Sequence, residues 1–252
     1  MNTKWTDGTS CACTDGGTVE PHAWPRLNSG EIHVWNASLD GSAHEQDQAL
    51  LSPDETERAG RYRFARDRLR FMAGRARLRT ILGGYLGCQP AELSFLHGPH
   101  GKPRLATNEW EEPLHFNMTH ADSLALYAVT RAGEVGIDIE RIREIQDWAG
   151  IAGNFFAPGE QARLRRLTAG RRTRAFLQAW TRREALLKAS GEGLIGENDG
   201  RSSVRDSGFS IHSFAPAPGY LAALASEFSA QRVIFITWTG TPGSTGPATV
   251  ET

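Results

Sequence analysis

The stretch Val135-Gly136-Ile137-Asp138-Ile139-Glu140 constrains this chain most, because apolar β-branched residues alternate strictly with other types. Such alternation is the period of a strand with one buried face. It puts Asp138 and Glu140 on the same face, about 7 Å apart along the strand. Two carboxylates so placed repel unless a cation lies between them, and hard oxygen donors suit magnesium. A half-buried strand with a solvated acidic face would read the same way.

A second constraint lies near the end of a helix expected over 171–190. There Leu177, Trp180, Glu184 and Leu187 share one face, so Glu184 interrupts an apolar stripe, with Lys188 one turn on. A carboxylate in that position is costly without a cation or metal. A surface Glu184–Lys188 pair, contributing about 0.3–0.5 kcal/mol, is the simpler alternative. Phe116-Asn117-Met118-Thr119-His120 ends another expected strand before a turn, where a hydroxyl and an imidazole could reach a phosphate. Gly101-Lys102-Pro103 sets one of the chain's three lysines in a rigid loop.

Between these motifs the chain mixes both element types. Ser52-Pro53-Asp54-Glu55 reads as an N-cap followed by proline in the first turn, opening a helix over 53–62. A second helix over 67–86 carries Leu78, Ile81, Leu82 and Tyr85 at helical spacing. Its Arg66, Arg70 and Arg77 fall on one line that could face phosphates. Strands are expected near 32–35 and over 114–118, 123–131, 134–140, 209–214, 219–225 and 232–238, with a further helix over 159–167. Residues 1–29 and 240–252 read as a flexible lead-in and tail around two α+β halves, 30–132 and 133–239.

Composition excludes several classes. With 39% hydrophobic and 23% charged residues and no long apolar run, the sequence reads as a soluble, cytoplasmic protein. Cys11, Cys13 and Cys88 make neither a paired disulfide framework nor a four-ligand zinc site. The net charge of −1 hides nine arginines against one acid between Arg58 and Arg79, a local anion-binding surface or a solvated helix face.

In this order and spacing the motifs resemble those of the long, surfactin-synthetase-activating type of 4′-phosphopantetheinyl transferases. The match takes in Gly101-Lys102-Pro103, Phe116 to His120, Gly136 to Glu140, Phe155-Phe156 with Glu160, and Trp180 to Gly193, within about residues 52–195. The resemblance implies an enzyme of the holo-[acyl-carrier-protein] synthase type. It would have a pseudo-twofold pair of similar α+β halves, with the active site in the cleft between them. Asp138, Glu140 and Glu184 would hold Mg2+, with Glu184, Lys188 and His120 catalytic. Arg58, Arg70, Lys102, Thr119, His120 and Lys188 would contact coenzyme A. The partners implied are coenzyme A and apo carrier protein domains, with neither nucleic acid nor membrane, and the enzyme acting as a monomer. Two positions depart from the family pattern: Thr119 stands for its usual serine and keeps the hydroxyl, and Arg183 stands for a lysine and keeps the charge but changes the contact geometry. Arg143, Trp148, Phe155 and Phe156 form a mix suited to a carrier-docking surface or to core. A magnesium-dependent nucleotide pyrophosphohydrolase could use the same acids, and a nucleic-acid-binding protein could use the arginine face.

Overall fold

The computed structural model describes residues 24–41, 44–106, 113–191, 208–239 and 248–250. Cys11, Cys13 and Gly193 lie outside them.

The fold is α+β, in four layers. The first strand, β1 (Glu31–Ser38), alternates Ile32 and Val34 on one face with Trp35 and Ala37 on the other, and both sets are buried. A strand buried on both faces must be sandwiched. On the Trp35 side lies the 22-residue helix α3 (Ala65–Leu86), which sends Leu78, Ile81 and Leu82 into the first core. On the Ile32 side lies a second sheet.

The first sheet runs β10-β9-β1-β5-β4, with β4 (His115–Ala121), β5 (Leu124–Thr130), β9 (Arg232–Thr237) and β10 (Ala248–Val250). All its pairings are antiparallel except β1 with β9, which is parallel. The second sheet runs β6-β8-β7, antiparallel throughout, with β6 (Val135–Arg141), β7 (Ser210–Phe214) and β8 (Tyr220–Ser226). Val135, Ile137 and Ile139 point between the sheets, and the alternate residues of β6 face the second long helix, α6 (Ala169–Ser190). Both halves thus run strand, 22-residue helix, antiparallel hairpin, and in both the first strand pairs with the last.

Gly136 explains how closely α6 lies on β6. A Cβ added there would run into the backbone of α6 at Ala185 and Ala189, so only glycine fits. The small side chains of Ala185, Ala189, Ala223 and Ala225 fill the same interface.

The expected elements stand within a few residues of their places, with three corrections. The run at 232–237 joins the first sheet beside β1, not the half that precedes it in sequence. Trp24 and Leu27, assigned to a flexible lead-in, pack on the first core, where Trp24 meets Trp35, Tyr85 and Trp238. The tail supplies β10. Around α4 (Trp148–Phe155), α5 (Pro158–Arg165) and α6, Phe156 is buried against Phe176, while Trp148 and Phe155 pack partly buried on the same core, Phe155 against Trp180.

The arginine-rich segment does not form one face. Helix α2 (Pro53–Gly60) is capped by Ser52 and Glu55 as its sequence says. Glu55 then reaches two buried guanidiniums, Arg75 at 2.5 Å and Arg79 at 2.7 Å. Arg77 is buried as well, so the line Arg66–Arg70–Arg77 runs from solvent into the protein, and only its outer end can meet a ligand. A nucleic-acid surface built on this segment loses three of its nine cations to the interior.

Candidate active site

The acids of β6 stand where that strand passes the last turns of α6. Asp138 Oδ1 accepts from Lys188 Nζ at 2.6 Å and from the Thr119 hydroxyl at 3.4 Å. Lys188 also donates to Thr119 Oγ1 and to the Ile137 carbonyl, both at 3.3 Å. Strand β4 is held beside β6 by Asn117, whose Oδ1 accepts from the Ile137 amide at 2.9 Å. Asn117 therefore sets the distance between the Thr119-His120 and Asp138-Glu140 pairs, a part its sequence position did not reveal.

Two carboxylate oxygens here, Asp138 Oδ2 and Glu184 Oε1, are buried and have no hydrogen-bond partner among the described residues. Burial pushes the carboxyl groups of Asp138, Glu140 and Glu184 above their usual range. The negative charge of Asp138 raises Glu140 and Glu184 further, and Lys188 only partly offsets this. One buried and two half-buried acids that repel one another and leave oxygens unpaired form a donor set that fits a hard divalent cation. Among the described residues these side chains are not gathered into a metal-holding group, and Lys188 occupies Oδ1 of Asp138. Lys188 pairs with Asp138 rather than with Glu184 one turn earlier on its own helix.

Two cavities flank this cluster. The larger, of about 680 Å³, is lined by Tyr62, Arg66, Arg70, Phe71, Thr119, His120, Asp138, Glu140, Arg143 and Lys188, from both sides of residue 132. Arg70 is fixed there by a bidentate pair with Asp40, at 2.8 and 3.0 Å. Desolvation, followed by the charges of Lys188 and Arg70, lowers the His120 pKa and favours the neutral ring. Arg58 stays outside this lining and stacks over the Phe71 ring that forms its wall, at 5.4 Å. The smaller cavity, of about 270 Å³, is lined by His100 to Pro103, Asn117, Met118, Glu184, Leu187, Lys188 and Gly191. Lys102 belongs to this second cavity and pairs with Glu134, a residue that sequence reasoning passed over.

This geometry joins acids, cations and cavities from parts of the chain that two family profiles match. Residues 34–132 match the N-terminal domain of 4′-phosphopantetheinyl transferases, and residues 134–236 match the 4′-phosphopantetheinyl transferase superfamily. The 4′-phosphopantetheinyl transferase HetI of a Nostoc species is 42% identical over 181 residues, 69% of this chain and 76% of its own length. The chain belongs to the 4′-phosphopantetheinyl transferases. Similarity extends to the transferase of Bacillus subtilis, 30% identical over 61% of this chain and 66% of that protein. It extends also to the transferase AcpT of Escherichia coli, 37% identical over 49% of this chain and 58% of that protein. The transferase has no helix among its described residues long and apolar enough to cross a membrane.

Proposed function

We propose that this transferase moves the 4′-phosphopantetheine arm of coenzyme A onto a serine hydroxyl of an apo carrier domain and releases adenosine 3′,5′-bisphosphate. It would do so as a cytoplasmic monomer, at the cleft between two halves related by a pseudo-twofold. The observation that carries the site assignment is the pair of buried oxygens without a partner among the described residues, Asp138 Oδ2 and Glu184 Oε1, on residues that line the larger and the smaller cavity respectively, with Lys188 lining both.

Asp138, Glu140 and Glu184 are the residues that would hold magnesium. The ion, when bound, neutralises charge that builds on the phosphoryl oxygens. His120, Thr119 and Arg70 line the larger cavity and would orient phosphates, Arg70 from a position already fixed by Asp40. Arg58, held over Phe71, would reach the same phosphates from the rim. Lys188 would release Asp138 and turn its ammonium to the phosphate.

In the transfer the serine Oγ forms a bond to the β-phosphorus of coenzyme A, and the bond from that phosphorus to the bridging oxygen of the adenosine bisphosphate breaks. The serine proton goes to Glu184, whose carboxylate is made more basic by burial and by the charge of Asp138.

The direct test is the intact mass of an apo carrier domain incubated with the enzyme, coenzyme A and magnesium. The carrier is expected to gain about 340 Da, one phosphopantetheine group, and to gain nothing when a chelator is present. Hydrolysis of coenzyme A without a gain in carrier mass would replace the proposal with a pyrophosphohydrolase.

A further inference from the structure

Strands β2 (Phe95–His97) and β3 (Pro103–Leu105) form a hairpin whose turn is closed by two hydrogen bonds, Gly98 N to Lys102 O and Gly101 N to Gly98 O, both 2.9 Å. Lys102, at its tip, is not free to bind a phosphate. Its ammonium donates to Glu134 Oε2 at 2.5 Å, to the Val135 carbonyl at 3.1 Å and to the Ala189 carbonyl at 3.4 Å. An ammonium has three N–H groups, and all three are engaged.

The acceptors join the hairpin to the elements of the active site. Val135 begins β6, which carries Asp138 and Glu140, and Ala189 lies in the last turn of α6, just beyond Glu184 and Lys188. The other oxygen of Glu134 meets His115 Nδ1 at 3.2 Å, at the start of the strand that carries Thr119 and His120. One carboxylate thus links the hairpin, through Lys102 or directly, to β4, β6 and α6. The hairpin tip and the Glu184–Lys188 segment both line the smaller cavity. Lys188 is also fully engaged, but its carboxylate partner belongs to the catalytic cluster, whereas Glu134 lies outside it.

We propose that Glu134 is a positioning residue for the transfer reaction: it holds Lys102, and with it the β2–β3 hairpin, as the fixed wall of the cavity beside Glu184 and Lys188. The role rests on the transferase site proposed above. Loss of the Glu134 charge lets the hairpin swing, so coenzyme A must order that wall as it binds, and affinity falls while the reacting groups keep their places. The His115 and Lys102 contacts hold the Glu134 carboxyl down at about 2 against its burial, so it is ionised at any working pH.

The test compares the full-length wild type with Glu134→Gln, Lys102→Met and the double variant, with coenzyme A varied at saturating carrier. Glu134→Gln is expected to raise KM for coenzyme A about tenfold and to leave kcat within about twofold. Lys102→Met gives the same shift, and the double variant is no worse than either, because the two residues act as one unit. An unchanged KM in Glu134→Gln, or effects that multiply in the double variant, would overturn the proposal; multiplied effects would mean that Lys102 touches substrate itself.

Amide hydrogen exchange reads the same role without any transfer. Protection of residues 95–105 is expected to fall in Glu134→Gln while β6 keeps its own, and unaltered hairpin protection would contradict the proposal. Failure of the wild type to transfer would strike at the function proposed above, while the exchange result would still decide the part played by Glu134.

Discussion

Lys188 and Asp138 share a contact of 2.6 Å that satisfies only half of the acid: Oδ1 takes the ammonium, and Oδ2 is buried without a partner among the described residues. An ammonium on a partly unsatisfied carboxylate, with two further acids whose pKa the charge of Asp138 raises, describes a site balanced for one more positive charge.

Removing that ammonium exposes the balance. Lys188→Met leaves Asp138 buried with only the Thr119 hydroxyl and the Ile139 amide, at a cost of about 2 kcal/mol, below the usual figure for a buried pair because the lysine side chain is 30% exposed. Urea unfolding is expected to show that loss, and magnesium to restore more stability to the variant than it adds to the wild type. Transfer falls about 100-fold. Wild-type stability and rate in this variant would contradict the role of Lys188.

Gly136→Ala is a test of geometry. The added methyl must push α6 off β6, at about 3 kcal/mol, and carries Glu184 and Lys188 away from Asp138. A drop in melting temperature together with a transfer rate at least tenfold lower is expected, the rate being measured well below the melting temperature. A variant as stable and as active as the wild type would show that the approach of helix and strand is looser than described.

Glu55→Gln leaves two buried guanidiniums without their carboxylate. The expected loss is about 4 kcal/mol, with a melting transition correspondingly lower. Because α2 also carries Arg58, the KM for coenzyme A is expected to rise as this helix loosens. No loss of stability would mean that water or rearrangement satisfies Arg75 and Arg79.

His33 makes stability depend on pH. Burial lowers its pKa from 6.5 to about 4, while in the unfolded chain it takes a proton near 6.5. Between those values the unfolded state holds more protons, so stability is full above pH 6.5 and falls as pH drops toward 4, by about 3 kcal/mol in all. Chemical unfolding from pH 7 to 4.5 should show this slope in the wild type and a shallower one in His33→Gln. An equal slope in both would assign the effect to other groups.

The parts of the site legible in the sequence were those written in local period. Alternation put Asp138 and Glu140 on one face of a strand, and helical spacing set Glu184 and Lys188 a turn apart. Long-range partners were not legible. Nothing near Arg75 or Arg79 in sequence announces Glu55, 20 and 24 residues away, and periodicity shows which arginines share a line without showing where that line goes under the surface. Lys102 stood out as a cation in an open loop, yet its carboxylate partner is 32 residues on. The run at 232–237 is apolar enough to suit either sheet, and only the parallel pairing with β1 decides between them.

Whether Asp138 and Glu184 hold the cation is read by calorimetric titration of magnesium into the protein in the presence of coenzyme A, for the wild type and for the double variant D138N/E184Q. The wild type is expected to bind the ion and the variant to lose that binding while keeping its melting transition, because both unpartnered oxygens have lost their charge. Magnesium binding of equal strength in the two proteins would show that Asp138 and Glu184 do not form the cation site.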